Sequence, residues 1–177
     1  MVIVITGPIA SGKSTVARQL ADELERRGVR TAVIDLDLVH AMLDTTGSTS
    51  DDACWTLARR GAAALADTFR QDGVVVVIAE GSYNKASDRA AFSHGLHGDA
   101  SPFYVTLQVT FEEALRRAQA DPTRGISRNA GFLGSYFAAQ DHGLAAVPAT
   151  DLVIDTERMA PTAAAEAIAR AARPTGD

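Results

Sequence analysis

Cysteine is nearly absent, since Cys54 is the only one among 177 residues. One thiol cannot build a disulfide framework, nor a zinc site by itself, and its plain reading is a half-buried structural thiol. A lone thiol suits a reducing cytoplasm, which is the expected compartment. Long apolar runs are also missing. The opening run, Val2 to Ile5, is short and leads into a glycine loop, so no secretory leader is expected. The longest later run, Val74 to Ala79, is far too short to span a bilayer. No basic run occurs, and the formal net charge is −5. Phosphate-backbone binding needs clustered Lys and Arg, so a long nucleic acid is not an expected partner, although a local cationic pocket remains open. Repeats, low-complexity tracts and long linkers are not visible.

The chain that remains reads as one domain over residues 1–177. Hydrophobic residues make up 46% and charged residues 22%, enough to bury a sizeable core. Short β-branched runs alternate with helical patterns. Val2 to Ile5, Thr31 to Ile34, Val74 to Ala79, Phe103 to Val109 and Leu152 to Ile154 read as strands. Ser14 to Arg27 reads as a helix stopped by Gly28. Asp51 to Asp72 is a long helix whose buried side is marked by Leu57, Ala64, Leu65 and Phe69, and Gly73 breaks it. Phe111 to Ala120 is a helix with Thr110 as N-cap and Glu113 at the capping-box position. Pro161 to Ala172 closes the chain as a helix. This alternation predicts an α/β fold with a parallel sheet between helical layers. Thr45 to Ser50 reads as a polar loop, Asp121 to Gly131 as irregular, and Pro174 to Asp177 as a frayed tail.

The sharpest signal is Gly7-Pro8-Ile9-Ala10-Ser11-Gly12-Lys13-Ser14, followed by Thr15. It fills every fixed position of a phosphate-binding loop, between a strand and a helix as that motif requires. Glycines let backbone N–H groups close on phosphates, and the helix N-terminus adds positive partial charge. Lys13 supplies a point charge for the β- and γ-phosphates, and the Ser14 hydroxyl reaches Mg²⁺. ATP with Mg²⁺ is the expected ligand pair.

Asp35 and Asp37 end the second strand. Two apart in extended backbone, they would point to one side. One carboxylate, Asp35, can hold magnesium; the other, Asp37, can take the proton of an attacking hydroxyl. The bland alternative is that Asp37 caps a helix starting at Leu38. Glu80, at the tip of the third strand, can orient water on magnesium, contact the acceptor, or be a solvated carboxylate. His40 is either a packed helix residue or a substrate contact. Arg59, Arg60 and Arg89 are candidates for an anionic acceptor, or ordinary solvated arginines. Arg124 and Arg128 are four apart in a stretch that Gly125 makes poorly helical.

On these motifs the chain resembles the small P-loop kinases related to nucleoside monophosphate kinases. It is similar to gluconate, shikimate and adenylylsulfate kinases and to chloramphenicol phosphotransferase. The resemblance implies a three-layer P-loop NTPase fold with a five-stranded parallel sheet in the order 2-3-1-4-5. It implies an arginine-bearing lid over about residues 121–131. Asp35, Asp37 and His40 echo the Glu-Gly-Asp-x-x-His stretch of gluconate kinases, although the shikimate-kinase glycine triplet and the gluconate-kinase Cys-Ser-x-Leu-Lys stretch are both missing after Glu80. The resemblance also implies that Arg116 or Arg117 stacks on adenine, that Thr156 follows the strand whose loop wraps the base, and that Arg124 and Arg128 reach the transferring phosphoryl group. The expected activity is transfer of the γ-phosphate of ATP to a hydroxyl of a sugar acid, another polyol or a hydroxylated antibiotic. An ATP-binding regulator without an acceptor and a nucleotide or polynucleotide 5′-kinase stay open. A GTP switch is disfavoured, because Asn84-Lys85-Ala86-Ser87 lacks the Asp of a guanine signature.

Overall fold

The run Val2–Thr6 forms strand β1, with all five residues buried. Its alternate side chains serve two different cores. Ile3 and Ile5 join one apolar cluster, and Val2 and Val4 join another on the opposite face. That is how a strand covered on both sides must divide its side chains. The computed structural model describes residues 1–43, 52–98, 101–143 and 149–174. The polar loop expected over Thr45 to Ser50 lies outside the described residues.

After β1 the elements run in order: helix α1 (Lys13–Arg26), β2 (Thr31–Asp35), α2 (Leu36–Ala41), α3 (Asp52–Gln71), β3 (Val76–Glu80), α4 (Ala86–Ser93), β4 (Phe103–Gln108), α5 (Phe111–Ala120), a 3₁₀ turn (Ile126–Arg128), α6 (Ala130–Gly143), β5 (Leu152–Asp155) and α7 (Pro161–Ala172). The strands form one parallel five-stranded sheet in the order β2-β3-β1-β4-β5. The α/β class, the three layers and the strand order are those of a P-loop NTPase, as expected. Helices α1 and α7 pack on the Ile3/Ile5 face through Leu20, Leu24 and Ile168. Helices α3 and α4 pack on the other face through Ala58, Ala62, Ala66 and Phe92. Among the described residues no helix is long and apolar enough to cross a membrane.

Four expectations need correction. The buried face of α3 is Ala58, Arg59, Ala62, Ala63, Ala66 and Asp67. Leu57 and Leu65 are 52% and 37% exposed, and Ala64 is exposed as well; only Phe69 packs partly against the core. The reason is spacing. A Cβ on Gly95, just after α4, would come within 2.7 Å of the Ala63 Cβ, so only small side chains fit between α3 and its neighbours. The capping box on α5 is half made. Thr110 accepts from the Glu113 N–H at 3.3 Å, but the Thr110 N–H goes to Glu157, while Glu113 is drawn away by Arg116 and Arg117. The stretch expected to be irregular over 121–131 contains the 3₁₀ turn and the start of α6. The fourth correction concerns Asp35 and Asp37.

Candidate functional site

Strand β2 ends directly in a helix. The Asp35 carboxylate accepts the Asp37 N–H at 2.9 Å and is the N-cap of α2. Asp37 is therefore in the first helical turn, and the shared side of an extended backbone does not arise. The helix starts at Leu36 rather than Leu38, because Asp35 is already a good capping residue there.

The phosphate loop joins β1 to α1. At Gly7 φ is +151°, and a Cβ there would lie 2.5 Å from the Leu107 carbonyl oxygen, so only glycine fits. Ala10 holds φ 62°, a left-handed conformation that strains an alanine. The Lys13 Nζ donates to the carbonyls of Gly7 and Pro8 at 3.1 and 3.0 Å. Burial pulls the Lys13 pKa down, partly opposed by Glu80 and Asp37. Ser11 Oγ is buried without a hydrogen-bond partner.

Glu80 is 4% exposed, and it lines one cavity with Ser14, whose side chain draws the Glu80 pKa down. Burial raises the pKa of Glu80 and of Asp37, in each case against the pull of Lys13. After Glu80 the chain needs Gly81, where φ is +149° and a Cβ would sit 2.6 Å from that of Leu36. This close approach brings the ends of β2 and β3 together. Gly81→Ala should destabilise the protein by about 1–3 kcal/mol, the usual cost of overpacking, as read from urea denaturation midpoints. An unchanged midpoint would show that Leu36 yields freely.

A cavity of about 490 Å³ collects Lys13, Ser14, Asp37, Glu80 and Arg124, with Ile9, Ile126 and Phe132 as apolar wall. Arg124 also pairs with Asp121 at 3.3 Å, and two bonds from Thr123 hold the Asp121 carboxyl below its usual pKa. Arg128, in the 3₁₀ turn, is exposed and outside that lining. A second cavity, of about 470 Å³, borders the other side of the loop and includes Ser11, Gly12, Thr15, Arg116, Arg117 and Thr156. Arg117 donates to the Thr156 carbonyl at 2.7 Å, to its hydroxyl at 3.0 Å and to Glu113 at 2.7 Å. Arg116 is held by Glu113, and the two arginines keep the Glu113 carboxyl at a pKa of about 2.

The remaining candidates go elsewhere. Arg59 donates to the Ser82 carbonyl and lies 3.2 Å from Asp88. Arg89 donates to the Tyr83 and Ala149 carbonyls and lies over the Tyr104 ring at 4.2 Å. His40 stacks on Trp55 with ring centroids 3.8 Å apart, and its buried Nε2 has no hydrogen-bond partner. These three are absent from the lining of the Lys13 cavity. Arg60 is exposed on α3.

Sequence reasoning missed the packing of α6 beside the phosphate loop, where Tyr136, Phe137 and Leu133 share an apolar cluster with Ile9 and Ala10. Thr6 Oγ1 donates to Asn84 at 2.7 Å and accepts the Tyr83 N–H at 3.0 Å. No motif marks these residues, because α6 has no clear apolar stripe to announce it.

The donor set around Ser14 consists of hard oxygens from a hydroxyl and carboxylates. That fits magnesium, which keeps several waters and takes one or two carboxylates. Among the described residues no cluster of three or more His, Cys, Asp or Glu is placed to cage a metal.

Several solved structures share this architecture. A sugar kinase from Janibacter sp. HTCC2649 has a TM-score of 0.70 at 22% identity, over 98% of this chain and 95% of that one. The APS kinase of Mycobacterium tuberculosis, solved with AMPPNP and APS, has a TM-score of 0.70 at 19% identity, over 97% and 96%. A shikimate kinase from Acinetobacter baumannii, in complex with shikimate, has a TM-score of 0.56 at 19% identity, over 96% and 90%. At such identities the likeness is one of fold. No curated protein matches the sequence. A family model described as an AAA domain matches residues 3–130, from β1 past the phosphate loop, Asp37, Glu80 and Arg124, and the chain belongs to that family.

Proposed function

We propose that the protein is an ATP-dependent phosphotransferase that moves the γ-phosphate to a hydroxyl of a small-molecule acceptor. The observation that carries this reading is the meeting of Lys13, Ser14, Asp37, Glu80 and Arg124 around one cavity at the phosphate loop. A phosphate cradle alone serves any nucleotide binder; a carboxylate lining the same cavity, with its pKa raised by burial, gives a nucleophile somewhere to leave its proton.

In this reading the Gly7 to Thr15 segment holds the phosphates. Arg117, fixed by Thr156, offers its guanidinium face to adenine. Ser14, Glu80 and Asp35 would hold magnesium, directly or through water, and that ion neutralises charge on the β- and γ-oxygens when bound. The acceptor oxygen forms its bond to the γ-phosphorus as the bond to the β,γ-bridging oxygen breaks and ADP leaves. Asp37 orients the acceptor hydroxyl and takes its proton. Lys13 and Arg124 face the charge on the transferring group.

Arg124 rather than Arg128 is assigned the role at the transferring group. Arg124→Ala should lower kcat by about tenfold more than Arg128→Ala, with ADP affinity nearly unchanged in both. Titration calorimetry with ADP and steady-state rates decide this, and equal losses of kcat would withdraw the assignment. The reading as a whole is tested by ATP-consumption assays over sugar acids, other polyols, nucleosides and hydroxylated antibiotics. Acceptor-dependent ADP formation supports it; ATP binding with no acceptor-dependent turnover counts for the regulator reading.

A further inference from the structure

Two arginines are almost fully buried. Arg59 is 7% exposed and Arg89 is 6% exposed. Each donates to backbone carbonyls, Arg59 to that of Ser82 and Arg89 to those of Tyr83 and Ala149. They differ in what balances the charge. Arg59 has a carboxylate partner, Asp88, at 3.2 Å. Among the described residues Arg89 has no ion-pair partner. Its guanidinium lies over the Tyr104 ring at 4.2 Å, and its buried Nη2 has no hydrogen-bond partner. The charge of Asp151 reaches Arg89, but that carboxylate accepts the Tyr104 N–H at 2.7 Å instead of pairing with the guanidinium. An unpaired donor on a buried cation is costly, so this nitrogen calls for a partner from outside the chain.

Space for one lies beside it. Arg89 lines a cavity of about 400 Å³ between the start of the phosphate loop at Gly7 and Pro8, the end of β4 and Phe137 on α6. One water fills only about 30 Å³. Among the described residues none lines both this cavity and the Lys13 cavity, and only Glu157 is shared with the cavity of Arg116 and Arg117. Most of its polar lining is already engaged. Thr6 donates to Asn84, Thr106 donates to the Thr150 hydroxyl, and Thr110 caps α5. Pro8, Val109 and Phe137 supply apolar wall.

The acidic lining residues belong to the other end. Arg89 stands over Tyr104, whereas Asp155 pairs with Gln108, which lies four residues, roughly 13 Å, further along β4. Asp155 accepts the Glu157 N–H and pairs with Arg158, and Glu157 accepts the Thr110 N–H.

We propose that this cavity is a binding site for a small monocarboxylate with an apolar body, separate from the acceptor site, and that the carboxylate gives Arg89 the partner that Asp88 gives Arg59. One carboxylate oxygen accepts from Nη2, and the body packs on Val109 and Phe137. A carboxylate is favoured over an amide of the same shape because a hydrogen bond between ionised groups is about twice as strong as a neutral one. The assignment does not depend on the kinase reading.

The test uses the isotope-labelled full-length protein with ADP and Mg²⁺ present, so that the phosphate loop is occupied. Hexanoate and phenylacetate are titrated in, each beside its primary amide, and backbone amide shifts are followed by NMR. Each acid is expected to bind about tenfold or more tightly than its amide, with shifts centred on residues 106–110 and Phe137. Arg89→Gln keeps an N–H for the carbonyls without the charge and should erase that preference. Val109→Trp fills the cavity from a half-buried position and should abolish binding of both acids; it leaves Arg89 in place should Arg89→Gln not fold. Equal binding of acid and amide overturns the proposal. So do shifts confined to residues 13–15, or no saturation by either acid at about 10 mM.

Discussion

Lys13→Ala is expected to lower turnover by about 10³-fold or more and to weaken ATP binding, while the protein without nucleotide stays folded. The loss is large because a positive charge beside the β- and γ-phosphates acts where water is largely excluded, and no other lysine lines that cavity. The fold should tolerate it because Lys13 gives the apo protein only two hydrogen bonds, to the Gly7 and Pro8 carbonyls. The sign of its pKa points the same way. A lysine whose pKa is lowered by burial destabilises the folded state while it is charged, and that cost fades as pH rises past its folded pKa. Removing the charge should leave the thermal midpoint at neutral pH unchanged or slightly higher. Wild-type turnover in a well-folded Lys13→Ala protein would remove the phosphate-loop account.

Asp37→Asn should lower kcat by about 10²–10⁴-fold, the usual range for losing a general base, while ATP still binds. It should also raise the thermal midpoint of the apo protein at neutral pH. Burial raises the Asp37 pKa, so the folded state holds this proton more tightly than the unfolded chain does. Stability attributable to the group therefore falls as pH rises through the interval between its ordinary and folded pKa values. The asparagine variant avoids that cost, and its advantage should vanish below the ordinary range. The acid limb of the wild-type pH–rate profile should lie above the pKa of a solvated aspartate for the same reason. Asp35→Asn is the control. Asparagine still caps α2, so any loss there reports charge, expected as a higher magnesium requirement. If Asp35→Asn is inactive while Asp37→Asn keeps wild-type kcat, the two roles are reversed.

The strands were legible because β-branched runs bounded by glycines admit little else, and each observed strand lies within two residues of its expected limits. The phosphate loop was legible because its spacing serves a single geometry. Helix α3 was found, but its buried face was assigned to the larger apolar residues, when close packing against α4 selects alanines and leaves Leu57 and Leu65 outside. Helix α6 was not seen, since its apolar residues do not fall on one face. The roles of Asp35 and Asp37 turned on where a helix begins, which an Asp-x-Asp pair leaves ambiguous by two residues. Arg59 and Arg89 look like surface arginines in sequence, and only tertiary contacts show them buried against carbonyls. Glu80 was placed near the site from its strand position, but its place beside Ser14 and Lys13 needed the pairing of β3 with β1.

The most direct measurement follows the γ-phosphate itself. Phosphorus NMR of the protein with ATP, Mg²⁺ and an acceptor that supports ADP formation in the consumption assay should show the γ-phosphate signal replaced by that of a phosphate monoester, in step with ADP. The same mixture with Asp37→Asn protein should hold its ATP over the same time. Conversion of the γ-phosphate to inorganic phosphate alone, or a monoester formed equally fast by Asp37→Asn, would contradict the account.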